Sequence, residues 1–234
     1  MSKEEKRGRT VESGPVQMKP TTYFIRLSLM LGAVTPGGEE EDFPPTRCDM
    51  PDLSEFSSGT SLDMIPNFIM RGKGPKEHKS LGYVVAFIRL VDKALIEYEL
   101  CRESLKKTAE GRSHRVASYF RAADHLENCI NSARRAILLG RRIRRDQDAP
   151  SVDKKALPSA DEAERLDYFR HSIEHVDEKL QKGELKKEDA VMLTLYADRF
   201  GIGDRQESFE WFADLIKRLH QIAGVLADAE VPDT

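Results

Sequence analysis

The sequence predicts an all-α protein: an antiparallel four-helix-type bundle, with a short β-hairpin before the last helix and a disordered N-terminal leader. Three observations carry this expectation. From residue 80 onward, apolar residues recur at helical spacing in four long runs. The connections between runs hold Gly, Pro and short polar residues, and short connections return each helix antiparallel to the one before. Residues 1–79 show no such period and are rich in Pro, Gly, Ser and charge.

The leader is expected to be disordered over 1–79, with the bundle domain over 80–230. The runs Pro36-Gly37-Gly38-Glu39-Glu40-Glu41 and Phe43-Pro44-Pro45 would break any element placed there. Met64 or Met70 would start translation almost directly at the ordered part. Tyr23–Val34 is mostly apolar, but it is twelve residues long and interrupted by Arg26. It follows a polar stretch containing Glu4, Glu5 and Glu12, unlike the short basic start of a signal peptide. It is also too short to span a bilayer. A marginal strand or sticky patch is expected there, with no membrane partner.

In the first helix, about 80–109, Val84, Phe87, Ile88, Val91, Leu95, Tyr98 and Leu105 form the stripe, and Gly111 punctuates it. Val116, Phe120, Ala123, Ile130 and Ile137 mark the second, with Glu127 as its one polar lapse. This helix runs into Arg141-Arg142-Ile143-Arg144-Arg145 and stops before Asp148-Ala149-Pro150. Pro150 and Pro158 bracket a turn over 148–158. The third helix starts at Ser159 as N-cap, with Asp161 and Glu162 favouring the positive end of its dipole. Its stripe is Leu166, Phe169, Ile173, Val176 and Leu180, and Gly183 ends it. Val191–Tyr196 and Phe200–Ile202 flank Asp198-Arg199 as a hairpin, although 190–197 also reads as a helix. The last helix runs from about Ser208 with Phe209, Phe212, Leu215, Ile216, Leu219, Ile222 and Leu226 facing inward.

Composition narrows the function classes. The 234 residues hold one ordinary domain plus a tail, with 39% hydrophobic and 33% charged residues. A net charge of −3 gives no global attraction to nucleic acid, so any such affinity must be local. Cys48, Cys101 and Cys129 form no metal or redox spacing, and their odd number predicts a reducing, cytoplasmic setting. Nothing resembles a phosphate loop, a nucleophile elbow or a dinucleotide fingerprint.

Arg170-His171-Ser172-Ile173-Glu174-His175 carries the chemistry. On a helical wheel, Arg170 lies roughly 80° from the centre of the apolar stripe and His175 roughly 140° from it on the other side. His171 and Glu174 fall between them, so the group points away from the chain's own core. A spacing of five keeps Arg170 and His175 from meeting on one straight helix, but two copies facing across a two-fold axis would bring them together. A neutral imidazole can take a proton from a ribose 2′-hydroxyl or return one to the leaving oxygen. A guanidinium can neutralise the phosphate as charge builds. Attack by an internal 2′-hydroxyl needs no activated water, so neither metal nor cofactor is required. Three R-x4–6-H pairs occur: Arg71 with His78, Arg165 with His171, and Arg170 with His175. Placement on an amphipathic bundle helix singles out the third.

In this Arg170–His175 motif, with polar His171 after the Arg, and in the helices around it over about 80–230, the chain resembles the HEPN superfamily of small helical-bundle proteins. Its signature is an Arg, usually followed by a polar residue, with a His four to six residues later on a late helix. Val176-Asp177-Glu178, the hairpin and the terminal helix follow in the order such proteins have. The resemblance implies a metal-independent endoribonuclease of toxin–antitoxin or phage-defence type, acting as a homodimer, with Arg170 and His175 as the catalytic pair. It also implies a cognate antitoxin protein as a partner. One subfamily carries a Tyr two positions after the His, the target of an adenylylating antitoxin. Asp177 stands there instead, so that regulation is not implied.

Other readings remain open. His171 and His175, at i and i+4, match a zinc-chelating spacing with Glu174 as general base, and Glu207, Glu210 or Asp214 as third-ligand candidates. A solvated face with ion pairs to Glu174 and Glu178 would make the chain a non-catalytic dimerisation or binding module. Arg134, Arg135, Arg141, Arg142, Arg144 and Arg145 read as an RNA-backbone patch, in which Arg141, Arg142, Arg144 and Arg145 would guide the RNA. They equally suit a helix C-terminus. His125, near Arg121 and Glu127, is expected to be an interhelical contact. Phe209, Trp211 and Phe212 are expected to fill core or interface rather than stack bases.

Overall fold

A computed structural model describes residues 44–56, 74–111, 115–184, 192–203 and 205–229. Four helices follow in order: α1 (His78–Ala109), α2 (Arg115–Ile143), α3 (Ala160–Lys182) and α4 (Phe209–Asp228). Strands β1 (Thr194–Leu195), β2 (Arg199–Ile202) and β3 (Arg205–Ser208) lie between α3 and α4. Contacts between helices give their directions. His125 meets Glu97 and Cys129 meets Ala94, so α2 runs back along α1. Asp167 meets Arg134 and Ser159 meets Arg141, so α3 runs back along α2. Glu207 meets Arg165 and Arg218 meets Glu162, so β3 and α4 run back along α3. The up-down-up-down bundle expected from the period is the one observed.

On α1 and α4 every residue named by the period is buried, from Val84 to Leu105 and from Phe209 to Leu226. On α2 the stripe is offset. The expected Ala123, Ile130 and Ile137 are fully buried, but so are Tyr119, Ala122, Leu126, Cys129, Ala133 and Ala136, whereas Val116, Phe120 and Glu127 are only partly covered. Hydropathy weighs Ala and Gly lightly, yet small residues let α1 and α2 approach closely. At Gly140 an added Cβ would sit 2.7 Å from Leu157 and 3.1 Å from the Phe87 ring.

The start of α3 is a reciprocal capping box. The Glu162 N–H donates to the Ser159 hydroxyl (3.2 Å), and the Ser159 N–H donates to the Glu162 carboxylate (2.8 Å). Burial works to raise the Glu162 carboxyl, but hydrogen bonds from Arg218 of α4 and from Ser159 outweigh it and hold it below the ordinary carboxylate value. Ser159→Ala is expected to cost about 1 kcal/mol, read by denaturant unfolding. Gly183, with φ 67°, stands just past the end of the helix.

The sheet has order β1-β2-β3, antiparallel throughout. Thr194–Leu195 pairs with Gly201 and Phe200, so the 190–197 stretch, as far as it is described, is strand rather than helix. β3 was not expected. Its residues Arg-Gln-Glu-Ser carry no apolar alternation, and it is held by backbone pairing to β2. The Leu195 N–H donates to the buried Tyr119 hydroxyl (2.9 Å), tying the sheet to the start of α2.

The leader expectation fails for residues 44–56, which strap the bundle. Leu53 and Met50 are buried in the core. The Leu53 N–H donates to Glu99 (2.7 Å), the Asp49 N–H to the Ala197 carbonyl (2.8 Å), and the Tyr98 hydroxyl to the Pro51 carbonyl (3.2 Å). Arg102, itself buried, donates to the Met50 carbonyl (3.2 Å) and pairs with Asp52 and Glu99. Two anchors without a period leave no trace in a periodicity reading. Arg102→Ala is expected to lose about 1.5–3 kcal/mol of charged hydrogen bonding. Hydrogen exchange should then rise over 44–56 before it rises in α2. Residues 74–79 are also described, and α1 begins at His78, inside the span expected to be leader; the rest of 1–79, with the Tyr23–Val34 patch, Met64 and Met70, lies outside the described residues. No helix among the described residues is long and apolar enough to cross a membrane.

Candidate functional site

The site lies on the outward side of α3, whose Leu166, Phe169 and Val176 are buried behind it. Arg170 pairs with Glu174 at 2.6 Å, one helical turn on. The His171 imidazole lies 4.0 Å from the same carboxylate, and His175 lies 3.4 Å from Glu178. The rings of His171 and His175 stack at 6.2 Å with an interplanar angle of 27°. All four predicted residues are therefore neighbours along one helix. The His175 side chain is 63% exposed and that of Arg170 is 31% exposed, so His175 is the more open to a substrate.

Arg170 and His175 nonetheless sit on opposite flanks, as five residues at 100° per residue require. Arg170 faces α2, where Arg134 forms an ion pair with Asp167. Burial lowers the Arg134 guanidinium pKa and the neighbouring positive charge of Arg170 lowers it further, while Glu174 opposes the shift. His175 instead faces the sheet, across an open groove lined by Tyr168, Ser172, Lys179, Ile202 and Gly203. One chain thus pairs Arg170 with Glu174 on one flank of the outward surface, and turns His175, stacked on His171, toward the sheet on the other.

Among the described residues the zinc spacing finds no third ligand, and no group of three His, Cys, Asp or Glu there is able to hold a metal ion. Of the candidate acids, Glu207 pairs with Arg165 and Asp214 with Lys217.

The six arginines at the end of α2 divide by role. Arg134 joins the α3 ion pairs, and Arg141 donates to the Ser159 carbonyl (3.0 Å), bracing the start of α3. Arg144 and Arg145 are exposed beyond the end of the helix. Arg135 and Arg142 line a groove of about 590 Å³ with Arg89 and Lys93 of α1, over Leu90, Leu138 and Leu139. Arg89 and Lys93 escaped sequence reasoning because only the α1–α2 pairing puts them beside the patch.

The remaining candidates are structural. His125 bonds Glu97 at 2.7 Å across the helix pair. Phe209 and Phe212 are fully buried, and Trp211 lies under the Arg165 guanidinium at 5.4 Å. All three cysteines are free, and burial pushes the Cys101 and Cys129 thiols well up, which disfavours the reactive thiolate. Set against known proteins, the chain matches no family model, no curated protein and no solved structure.

Proposed function

We propose that this chain is a HEPN-type, metal-independent endoribonuclease of the cytoplasm that works as a homodimer. The supporting observation is the exposed cluster of Arg170, His171, Glu174 and His175 on one outward helix surface, with the bundle core closed behind it. In this reading His175 takes the 2′-hydroxyl proton, the freed oxygen attacks phosphorus, and the bond to the 5′-oxygen breaks as the resulting imidazolium returns a proton to that oxygen. Arg170 neutralises the charge that builds on the phosphate oxygens. The products carry a 2′,3′-cyclic phosphate and a 5′-hydroxyl. His171 and Glu174 orient the pair, and Arg142, Arg144 and Arg145 guide the RNA backbone, with Arg141 beside them. Because Arg170 and His175 occupy opposite flanks, the working pair comes from two protomers. A toxin or phage-defence effector held in check by a cognate antitoxin protein is the biological role this chemistry suits.

The test is incubation of the full chain with RNA in excess chelator, reading for cyclic-phosphate ends and checking the dimer by sedimentation. Cleavage that disappears with chelator, or a monomer that cleaves, would overturn the proposal.

A second reading is a non-catalytic dimerisation module. It is favoured by the ion pairs that engage Arg170 with Glu174 and His175 with Glu178, as on any solvated helix face. Its sign is a stable dimer whose His175→Ala variant matches the parent in every RNA and growth assay.

A further inference from the structure

Tyr168, Ser172, His175 and Lys179 follow one another at spacings of four, three and four, a single strip along α3. The strip faces the turn between β2 and β3, and Ile202 and Gly203 close the opposite wall of a cavity of about 270 Å³. Gly203 has φ 62°, the left-handed region that favours glycine, and a Cβ there would make ordinary contact, 3.7 Å, with the Tyr168 hydroxyl. Arg205 opens β3 and rests its guanidinium 4.4 Å over the Tyr168 ring. Two cations, an imidazole, two hydroxyls and an aromatic face therefore meet around one small cleft, with no carboxylate among its described lining residues and Glu178 paired to His175 at 3.4 Å.

Two other cavities differ in kind. The α1–α2 groove has a leucine floor, and the cavity of about 260 Å³ between the 151–156 linker and α4 is mostly apolar, with Val152, Ala156, Ile222 and Val225 on its walls. A cavity of about 250 Å³ between Pro45–Arg47 and Tyr196–Arg199 also joins arginines to a tyrosine ring, but Asp49 pairs with its Arg47 and Asp198 with its Arg199. The cleft beside His175 combines phosphate donors with a surface for a sugar or base. It lies at the small end of the range for ligand pockets, which admits one nucleotide unit rather than folded RNA.

We propose that this cleft is a nucleotide subsite: it holds the nucleotide next to the scissile bond, with its phosphate toward Lys179 and Arg205 and its sugar and base against Tyr168 and Ile202. The inference rests on the ribonuclease reading for the identity of the polymer and names the place where one unit of it is gripped. Lys179 and Arg205 are binding residues here, not acid–base groups.

The test is titration of the full chain with nucleoside 3′-monophosphates, free nucleosides and inorganic phosphate, following the His175 ring resonances by NMR. A saturable shift with the monophosphate, weaker with nucleoside or phosphate alone, is expected. A Lys179→Ala/Arg205→Ala variant with unchanged circular dichroism should bind about tenfold more weakly, or worse. No shift at millimolar ligand, an equal shift with inorganic phosphate, or undiminished binding by the variant would overturn the subsite. RNA cleavage without the mononucleotide shift would sink the subsite and leave the ribonuclease reading standing. The shift without RNA cleavage would support the nucleotide site and remove the chemistry assigned beside it.

Discussion

His175→Ala is expected to slow RNA cleavage by about 100- to 10,000-fold, the span usually lost with a general acid–base. Arg170→Ala should lose about 100- to 1,000-fold, the cost of removing one donor from developing phosphate charge. The double variant should fall little further than the worse single one, because the pair acts as a unit. Neither change should unfold the protein. The His175 side chain is 63% exposed, and its partner Glu178 is equally open, so the shift in stability should stay within about 0.5 kcal/mol. Unchanged melting with lost cleavage separates catalysis from folding.

Mixing the two inactive chains distinguishes one protomer from two. If each site takes Arg170 from one chain and His175 from the other, a heterodimer of Arg170→Ala and His175→Ala keeps one intact site. Random exchange should then return about a quarter of parental activity. If both residues serve within one chain, the mixture stays inactive. The proposed composite site expects the first outcome, since Arg170 faces Arg134 on α2 while His175 faces Ile202 and Gly203 on β2 and its turn.

Phe200→Ala is expected to cost about 3–5 kcal/mol, the range for emptying a buried aromatic site. Phe200 is fully buried, and its ring lies 5.0 Å from Phe169, 5.4 Å from Phe209 and 5.5 Å from Phe212. It is the point where β2, α3 and α4 share one core. Against a typical total of about 5–15 kcal/mol, such a loss removes a third or more of stability in many domains. A fall in the denaturant midpoint at unchanged slope would report it. The cleft beside His175 should loosen with it, because β2 carries both Phe200 and the Ile202 wall. A change confined to the midpoint, with nucleotide binding intact at low denaturant, would show that the wall does not depend on this ring.

Much of the site was legible at the level of one helix. The wheel placed Arg170, His171, Glu174 and His175 on the side away from the core, and that is where they lie. The strip Tyr168, Ser172, His175 and Lys179 was equally visible as a spacing, but nothing in the spacing marked it as a wall. Arg205 and Gly203 come from a strand and a turn whose residues show no alternation. Arg134, grouped by its neighbours with the basic end of α2, turns instead toward α3, since adjacent arginines on a helix point about 100° apart.

Helix identity, order and inward faces follow from local sequence, because a repeat of 3.6 residues records which side meets solvent. Ser159 and Gly183 mark the ends of α3 because capping is likewise local. Which neighbour lies on each flank is not local. The strap at 44–56, the backbone-paired β3, the cationic groove between α1 and α2, and the parting of Arg170 from His175 all arise from contacts across the bundle. Periodicity reports burial but not the partner, and backbone hydrogen bonds place few demands on the side chains that carry them.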